Sequence, residues 1–450
     1  TINFQDVGSA NLKSIAYTIS SNSRVLTNWI TPSTNVSGYS EPWGITWNAW
    51  AEGSNQLSVS LNDWAGNTTS QIIATIQKDT IAPLIANKLS TSYYSTRWIK
   101  ATEDWMSSIP ITMDDQQSYL KNISYKVSYN NQIQYEVNLT QNAALREYAT
   151  PLTISFSALT NGVNEVYLSL NDHAGWSTYQ KIYWIKKDNI VPTIDSFANS
   201  TDAKYLQWYR ILPSFLVNSV DIDFGDSAWS QLKDVGYRVY NAGIPHEFLI
   251  DQSTRTAYTQ DWGIPWQNLY QGTNNIEVFA RDNALNESSL MVFTVLKDTA
   301  PPENVQNIPL DQFSPWYRVS PSWLSTVDID FVDTDGAGIR DLSYVISGNT
   351  LRHTGWISQN VNNRNYDKKW SLSWNDFEEG SNAVFTSRND MILNSGYEQV
   401  FILKKDITPP TVSNFETPTQ SKFAAWYNAP PSWLSSINVQ FSDTGYSGLN

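Results

Sequence analysis

Residues 52–83 read EGSNQLSVSLNDWAGNTTSQIIATIQKDTIAP, and they carry the clearest indication of the fold class. A Gly-x-Asn turn opens it, an alternating run follows, and an Asp-containing turn leads to a closing run that ends at Lys78-Asp79. Apolar side chains at alternate positions, with turn residues on both sides, are typical of half-buried β-strands. The stretch therefore predicts two strands joined by a turn, and no helix.

The same pattern recurs with a spacing of about 109 residues. A Lys-Asp pair marks it at Lys78-Asp79, Lys187-Asp188, Lys297-Asp298 and Lys405-Asp406, with steps of 109, 110 and 108 residues. A unit of this length has the size of one domain. The chain is therefore predicted to contain the following repeats: residues 1–80 (repeat 1, lacking its opening part), 81–189 (repeat 2), 190–298 (repeat 3), 299–407 (repeat 4) and 408–450 (repeat 5, an opening part only).

Alternation continues inside each repeat. Val220-Asp-Ile222-Asp-Phe224 and Ile437-Asn-Val439-Gln-Phe441 place apolar residues at every second position. About seven to nine short strands per repeat, with turns between them and no helical periodicity, indicate an antiparallel β-sandwich. The sequence thus predicts an all-β protein.

Three motifs carry a family resemblance. Glu52-Gly53-Ser54-Asn55, Asn62-Asp63-Trp64-Ala65-Gly66-Asn67 and Lys78-Asp79-Thr80-Ile81-Ala82-Pro83 together resemble the bacterial immunoglobulin-like tandem repeats of large cell-surface adhesins and of surface-layer or fibre proteins. The resemblance occurs once per repeat and covers nearly the whole chain. It implies tandem immunoglobulin-like sandwiches in an extended rod, located outside the cell or at its surface, and it identifies no ligand.

The composition excludes several function classes. The chain has 29 Lys+Arg against 43 Asp+Glu, a net charge of −14, which argues against a nucleic-acid partner. It has no cysteine, so disulfides, thiolate metal sites and a cysteine nucleophile are excluded. Three histidines, His173, His246 and His353, do not recur between repeats. No apolar run is long enough to span a bilayer, and no catalytic set is evident, so we expect no enzymatic activity.

Aspartates at the repeat boundaries are the candidate metal ligands. In such a sandwich the strand ending at Phe224 and the turn at Asp282 lie at the end that faces the preceding linker, so Asp188, Asp226 and Asp282 are expected to converge. Carboxylate and carbonyl oxygens are the ligands that calcium prefers. The alternative is that these side chains only cap turns. The full set is Asp79, Asp115, Asp172, Asp188, Asp226, Asp282, Asp298, Asp333, Asp390, Asp406 and Asp443.

Two groups of aromatic residues keep the phase of the repeat. The first is expected in the core and comprises Trp47, Phe156, Trp266 and Trp374 with Tyr17, Tyr125, Tyr237 and Tyr344. The second lies in a Pro- and Ser-containing insert and comprises Trp98, Trp208, Trp316 and Trp426. The insert tryptophans have three open interpretations: packing on the neighbouring repeat, filling their own core, or stacking on sugars.

Residues 1–80 and 408–450 are complementary parts of one repeat. We expect the 408–450 segment to pack against residues 1–80 of the next copy, or to run covalently into further repeats of a longer chain. The favoured function is structural, as a stalk, scaffold or self-assembling fibre. The alternatives are an array of carbohydrate- or receptor-binding modules and a non-catalytic extension of a secreted enzyme. A binding module predicts one repeat with distinctive exposed aromatics.

Overall fold

The computed structural model describes residues 2–88, 96–196, 200–413 and 421–449. Throughout these ranges the chain consists of β-strands, turns and 3-10 segments, with a four-residue α-helix at Ser421–Ala424. The predicted all-β class is therefore confirmed. Within the same ranges, no helix has the length and apolar character needed to cross a bilayer.

Every sheet takes its strands from one repeat. Repeat 1 contains β1 (Phe4–Gln5), β2 (Leu12–Ser21), β3 (Val25–Thr31), β4 (Gly38–Tyr39), β5 (Gly53–Asp63) and β6 (Thr68–Lys78). Repeat 2 contains β7 (Leu84–Lys88), β8 (Trp98–Ile99), β9 (Ile111–Asp114), β10 (Leu120–Tyr129), β11 (Gln132–Thr140), β12 (Glu147–Tyr148), β13 (Gly162–Asp172) and β14 (Ser177–Lys187). The predicted repeat boundaries themselves stay predictions.

The later repeats follow the same order. Repeat 3 contains β15 (Thr193–Ser196), β16 (Trp208–Tyr209), β17 (Ile222–Gly225), β18 (Leu232–Asn241), β19 (Ile244–Asp251), β20 (Ala257–Tyr258), β21 (Gly272–Asp282) and β22 (Glu287–Lys297). Repeat 4 contains β23 (Glu303–Gln306), β24 (Trp316–Tyr317), β25 (Ile329–Val332), β26 (Ile339–Ser347), β27 (Arg352–Asn363), β28 (Asn365–Tyr366), β29 (Gly380–Asp390) and β30 (Ser395–Lys405). Repeat 5 contains β31 (Thr411–Ser413) and β32 (Gln440–Ser442).

The 3-10 segments recur at two main places in the repeat. Those before the Gly-x-Asn turn are Trp47–Ala49, Phe156–Ala158, Trp266–Asn268 and Trp374–Asp376. Those in the insert are Asp104–Ser107, Ala203–Tyr205, Ser214–Leu216, Leu310–Phe313, Ser322–Ser325 and Ser432–Ser435.

Repeats 2 to 4 share an immunoglobulin-like strand order. In repeat 3 a small sheet has the order β15-β17-β20, and a large sheet has the order β16-β22-β21-β18-β19. The short strand β16 pairs parallel with the last strand, β22, while the other pairings are antiparallel. Two sheets with this division of strands are the hallmark of immunoglobulin-like sandwiches.

The core of each repeat fills the space between its two sheets. In repeat 3, Ile222 and Phe224 on the small sheet and Tyr237 and Val278 on the large sheet are all buried. Asp223 between them is half-buried and points away from the core. The predicted alternation is therefore the alternation of the two faces of a strand.

The recurring Gly-x-Asn motif lies at the start of the next-to-last strand of each of repeats 1 to 4, directly after a turn. Asn274 is fully buried, and its amide donates to the carbonyls of Tyr270, Gly272 and Val295 at 2.8, 3.1 and 3.3 Å. Its Oδ1 accepts from the Tyr270 N–H at 2.8 Å. Gly272 adopts φ +95°, which favours glycine. The motif thus satisfies buried backbone groups that water cannot reach.

The lysine of the Lys-Asp pair has a separate structural task. Lys297 Nζ donates to the carbonyls of Trp266 and Leu269 at 3.0 and 2.7 Å, at the end of a 3-10 segment. Its ammonium also lies 4.6 Å from the centre of the Trp266 ring. Burial lowers the pKa of Lys297. Lys297 therefore joins the last strand of repeat 3 to the 3-10 segment of the same repeat. The next residue, Asp298, instead contacts repeat 4.

One expectation about the aromatics needs correction. The strand tyrosines Tyr17, Tyr125, Tyr237 and Tyr344 are buried, as predicted. Trp47, however, is 53% exposed, and its counterpart Trp266 is only partly buried at the core edge. These residues lie on 3-10 segments rather than in strands, where their rings cover the lysine side chain instead of filling the core.

Candidate cation sites at the repeat junctions

Three structural elements bring aspartates together between repeats 2 and 3. Asp188 lies in the linker directly after β14, Asp226 directly follows β17, and Asp282 is the last residue of β21. Strands β17 and β21 both finish at the end of repeat 3 that faces repeat 2 and the linker. The three side chains each offer a carboxylate oxygen within 4.8 Å of the others, and all three are buried.

Two further junctions repeat this arrangement. The carboxylates of Asp79, Asp115 and Asp172 converge between repeats 1 and 2, and those of Asp298, Asp333 and Asp390 converge between repeats 3 and 4, within the same 4.8 Å limit. Asp79 is half-buried, and the other five side chains are buried. We call these groups the junction triads. The structure thus places nine of the eleven candidate residues as the sequence predicted, and their binding of a metal stays a prediction.

The two remaining candidates lie at the start of repeat 5. Asp406 accepts a hydrogen bond from the Ser447 backbone N–H at 2.7 Å, and Asp443 accepts one from the Gly445 N–H at 2.7 Å. No third carboxylate joins them among the residues that the structure describes. The third position of the triad corresponds to the Asp282 turn, which lies beyond the opening part of a repeat.

Neutral groups supply the hydrogen bonds of the triad between repeats 2 and 3. Asp226 Oδ1 accepts from the Ala228 N–H at 2.9 Å. Asp226 Oδ2 is buried and has no hydrogen-bond partner among the described residues. The same holds for Asp172 Oδ2 between repeats 1 and 2. A buried carboxylate oxygen normally has a partner, so these two atoms are unusual in a folded protein.

Burial and mutual repulsion raise the pKa values of several carboxyl groups in the triads. Desolvation raises the pKa of Asp226, and the charges of Asp188 and Asp282 raise it further. Desolvation likewise raises the pKa of Asp282, Asp172 and Asp390. For Asp333, burial and the neighbouring Asp298 and Asp390 raise the pKa from 3.8 to about 6. Three carboxylates without a cationic partner favour either a proton or a cation between them.

A backbone contact fixes the linker aspartate to the following repeat at every junction. One carboxylate oxygen of the linker residue accepts an N–H from a loop of the next repeat. The pairs are Ser118 N to Asp79 (3.2 Å), Ser230 N to Asp188 (2.8 Å), Ala337 N to Asp298 (2.7 Å) and Ser447 N to Asp406 (2.7 Å). The linkers are thereby oriented before any cation binds.

Sequence reasoning missed a second inter-repeat contact. Asn286 Nδ2 donates both to Asp282 Oδ2 at 2.7 Å and to the Asp188 carbonyl at 3.0 Å, so it ties the turn to the linker. Asn394 makes the equivalent contacts between repeats 3 and 4. In repeat 2 the Trp176 indole N–H donates to the Asp79 carbonyl at 3.1 Å instead. The sequence signal for this contact was the asparagine that ends the Asp-x-Ala-Gly-Asn motif. Its hydrogen-bond partner in the linker lies 98 residues away in the chain, so no local pattern connects the two.

The insert tryptophans contact the neighbouring repeat in two cases. The Arg364 guanidinium of repeat 4 lies 5.4 Å from the Trp208 ring centre of repeat 3. Tyr446 of repeat 5 stacks on Trp316 of repeat 4, with ring centres 6.5 Å apart. Trp426 is fully exposed.

The metal-free protein should respond to pH through Asp333. Because its folded pKa is raised above the unfolded value, the metal-free fold gains stability from it below about pH 4 and loses that contribution as pH rises through about 6. Comparison with Asp333→Asn isolates this effect from the other carboxylates. We expect the metal-free variant to melt higher than the parent at pH 7.5, with the difference vanishing near pH 4. Thermal unfolding by circular dichroism across this range measures it, and a parent that melts higher at pH 7.5 contradicts the electrostatic explanation.

No protein-family model and no curated protein sequence matches the chain. Similar solved structures include a tetra-tandem repeat from the extending region of a large adhesion protein, at 14% identity, 89% of this chain, 94% of that chain and a TM-score of 0.29. A Ca²⁺-stabilised adhesin that helps an Antarctic bacterium reach out and bind ice has 12% identity, 90% and 92% coverage and a TM-score of 0.27. A protocadherin γB7 EC3–6 structure has 12% identity, 89% and 93% coverage and a TM-score of 0.29.

These similar structures include adhesin repeats. Their superposition over the whole chain is loose, so the fold assignment rests on the sheets described above. By its strand order and its recurring motifs, the chain is an array of tandem immunoglobulin-like β-sandwich repeats.

Proposed function

We propose that this chain is a non-catalytic structural region of an extracellular or cell-surface protein, in which calcium bound at the junction triads stiffens a rod of repeats. The observation that carries the proposal is the convergence of three buried or half-buried carboxylates at successive junctions, each triad joining a linker to the next repeat. A cation held there would contact both sides of a joint. It would therefore resist bending between repeats.

The donor set suits a hard divalent cation. Calcium takes about six to eight oxygen ligands at about 2.3–2.6 Å and tolerates irregular geometry. Asp226 Oδ2 and Asp172 Oδ2 are buried oxygens that have no hydrogen-bond partner within the described ranges, so both are free to coordinate a cation. Calcium would neutralise the repulsion that raises the pKa of Asp226 and Asp282. The linker carboxylate and the turn carboxylate would then be held together by the ion.

The expected length of the rod follows from the size of one repeat. Strands of about ten residues at about 3.3 Å per residue give a repeat very roughly 35–40 Å long, and four repeats reach on the order of 150 Å. Proline after each Lys-Asp pair restricts the linker backbone. A stiff rod of this length serves to hold another part of a surface protein away from its anchor.

Calcium titration tests the site directly. Isothermal titration calorimetry of the metal-free chain at pH 7.5 should show about three sites, one for each triad. Asp282→Asn should remove one site, because it neutralises a triad carboxylate. Asp221→Asn, which changes an exposed residue on the same repeat, should remove none. Absence of binding to the metal-free chain would leave only turn capping as the role of these residues.

Assembly is a second part of the proposal. An apolar socket of about 370 Å³ in repeat 1 is lined by Ile2, Pro42, Trp43, Gly44, Ile45 and Trp50. In repeats 2 to 4 the equivalent space receives the buried residues Met106, Leu216 and Leu324, whose carbonyls accept a backbone N–H from the socket wall. Leu434 occupies the same place in the repeat and is 54% exposed. The socket therefore matches a segment of the 431–442 type from a second copy of the chain.

Substitution of Leu434 tests whether a second copy of the chain supplies the segment that fills the socket. If a second copy supplies the segment, the 450-residue chain should associate reversibly in sedimentation velocity, and Leu434→Asp should abolish the association because a charge cannot enter an apolar socket. Leu206→Asp, at another exposed apolar position, is the matched control. A chain that stays monomeric at high concentration contradicts supply by a second copy.

A further inference from the structure

The junction between repeats 2 and 3 contains an open cleft of about 550 Å³. Repeat 2 contributes Trp98 from the insert, and repeat 3 contributes Trp229 from the loop after β17. The ammonium of Lys100 donates to the Leu285 carbonyl across the same junction, so the two walls are held in contact. The full lining is Thr96, Arg97, Trp98, Trp229, Ser230, Gln231, Thr254 and Asn283.

The two indoles are arranged differently from their counterparts between repeats 4 and 5. Between repeats 4 and 5 the equivalent rings, Trp316 and Tyr446, stack on each other. Between repeats 2 and 3, Trp229 instead meets Tyr129 edge-on, with ring centres 5.9 Å apart at 89°. Trp229 remains 45% exposed, and both it and Trp98 line the cleft. This junction therefore presents two aromatic walls that do not stack on each other, unlike the pair between repeats 4 and 5.

A buried hydroxyl lies in the same cleft. Ser230 is only 3% exposed, and its Oγ has no hydrogen-bond partner among the described residues. Its backbone is fixed on both sides, because its N–H donates to Asp188 at 2.8 Å and its carbonyl accepts from Asn283 Nδ2 at 2.8 Å. A buried hydroxyl held in place without a partner is uncommon in a folded protein. Ser230 Oγ is therefore a candidate hydrogen-bonding group for a ligand of the cleft.

The remaining polar groups have little net charge. Arg97 is ion-paired with Glu103, which neutralises the guanidinium. Gln231 and Thr254 add an amide and a hydroxyl, each of which both donates and accepts hydrogen bonds. The cleft thus combines flat apolar faces with neutral hydrogen-bonding groups.

We propose that this cleft binds a neutral oligosaccharide. The C–H face of a pyranose ring is apolar and stacks on an indole, while its hydroxyl groups project sideways to donors and acceptors such as Ser230 Oγ. The volume lies within the range of about 300–1,000 Å³ that small-molecule sites occupy, and it suits two or three sugar units. The bound sugar contacts both repeats, so it bridges a joint of the rod.

Titration of the whole 450-residue chain tests the site. The probes are cellohexaose, maltohexaose and mannohexaose, each up to about 10 mM, a range that covers weak binding. Indole fluorescence and saturation-transfer NMR should detect at least one of them with a Kd on the order of 1 mM or tighter. The titration is done with saturating calcium and again after chelation, so that failure of the calcium sites and failure of the cleft are separately visible.

Three variants locate the binding. Trp98→Ala should weaken it by about 10-fold, because it removes one stacking face. Ser230→Ala should weaken binding while leaving the melting temperature unchanged or higher, since the hydroxyl has no partner in the part of the chain that the structure describes. Trp316→Ala, which changes the equivalent tryptophan between repeats 4 and 5, is the matched control and should bind like the parent.

Two results would overturn the proposal. One is that none of the three hexasaccharides perturbs the folded chain in either measurement. The other is that Trp98→Ala binds with unchanged affinity, which would move the sugar elsewhere on the chain.

Discussion

Removal of calcium should lower the melting temperature of the array by roughly 10–20 °C. At about 10 mM calcium and a Kd of about 0.1 mM, each bound ion stabilises its junction by about 2.7 kcal/mol. For a repeat of about 109 residues, 1 kcal/mol corresponds to roughly 4–8 °C. Differential scanning calorimetry with calcium and with chelator measures the shift. Small-angle scattering of the same samples should show that the metal-free rod bends more.

Asp226→Asn provides the diagnostic control for this experiment. The amide keeps the size of the side chain and removes its charge, so the metal-free variant should be more stable than the parent, because repulsion with Asp188 and Asp282 is relieved. With calcium the order should reverse. Asp221→Asn, exposed on the same repeat, should follow the parent under both conditions. Identical melting of the parent with and without calcium would contradict the cation sites.

Asn274→Ala should destabilise repeat 3 by about 2–4 kcal/mol. The change leaves three carbonyls and one N–H of the turn without the partner that they have in the folded repeat. Because Asn274 is fully buried, water cannot replace the lost groups without disturbing the turn. Chemical denaturation followed by tryptophan fluorescence should show an earlier transition for this repeat.

The neighbouring asparagine supplies the matched control. Asn275 is exposed on the same strand and accepts one hydrogen bond from Thr294. Asn275→Ala should change the unfolding free energy by no more than about 0.5 kcal/mol, as surface substitutions usually do. If both variants lose the same stability, the Gly-x-Asn motif has no special structural role.

Local patterns predicted much of this fold. The alternating runs, such as that ending at Phe224, fix which face of each strand is buried, because successive side chains point to opposite faces. The spacing of the Lys-Asp pairs gave the length of the repeat. The pattern of strands and turns also predicted that Asp188, Asp226 and Asp282 converge at one end of the sandwich, as they do in the structure. The physical reason is that turns connect strands of an antiparallel sheet at the ends of those strands.

The sequence pattern failed where the outcome depends on contacts between distant residues. It placed Trp47 in the core, although the 3-10 segment turns this ring toward the lysine and solvent. It identified Asn67 and its counterparts as a motif but did not assign Asn286 as the bridge to Asp188. Such a bridge depends on the position of the linker of one repeat against the turn of the next.

The sequence by itself determined the strand pattern, the repeat and the set of acidic residues, because each of these follows from the periodicity of the chain and the chemistry of single residues. The orientation of Trp229, and which carboxylate oxygens have no partner among the described residues, became apparent only from the tertiary structure. The packing of Trp229 against Tyr129 leaves the cleft beside Trp98 open. Such features depend on the relative position of two repeats, which is set by side-chain packing across the junction and leaves no periodic signal in the chain.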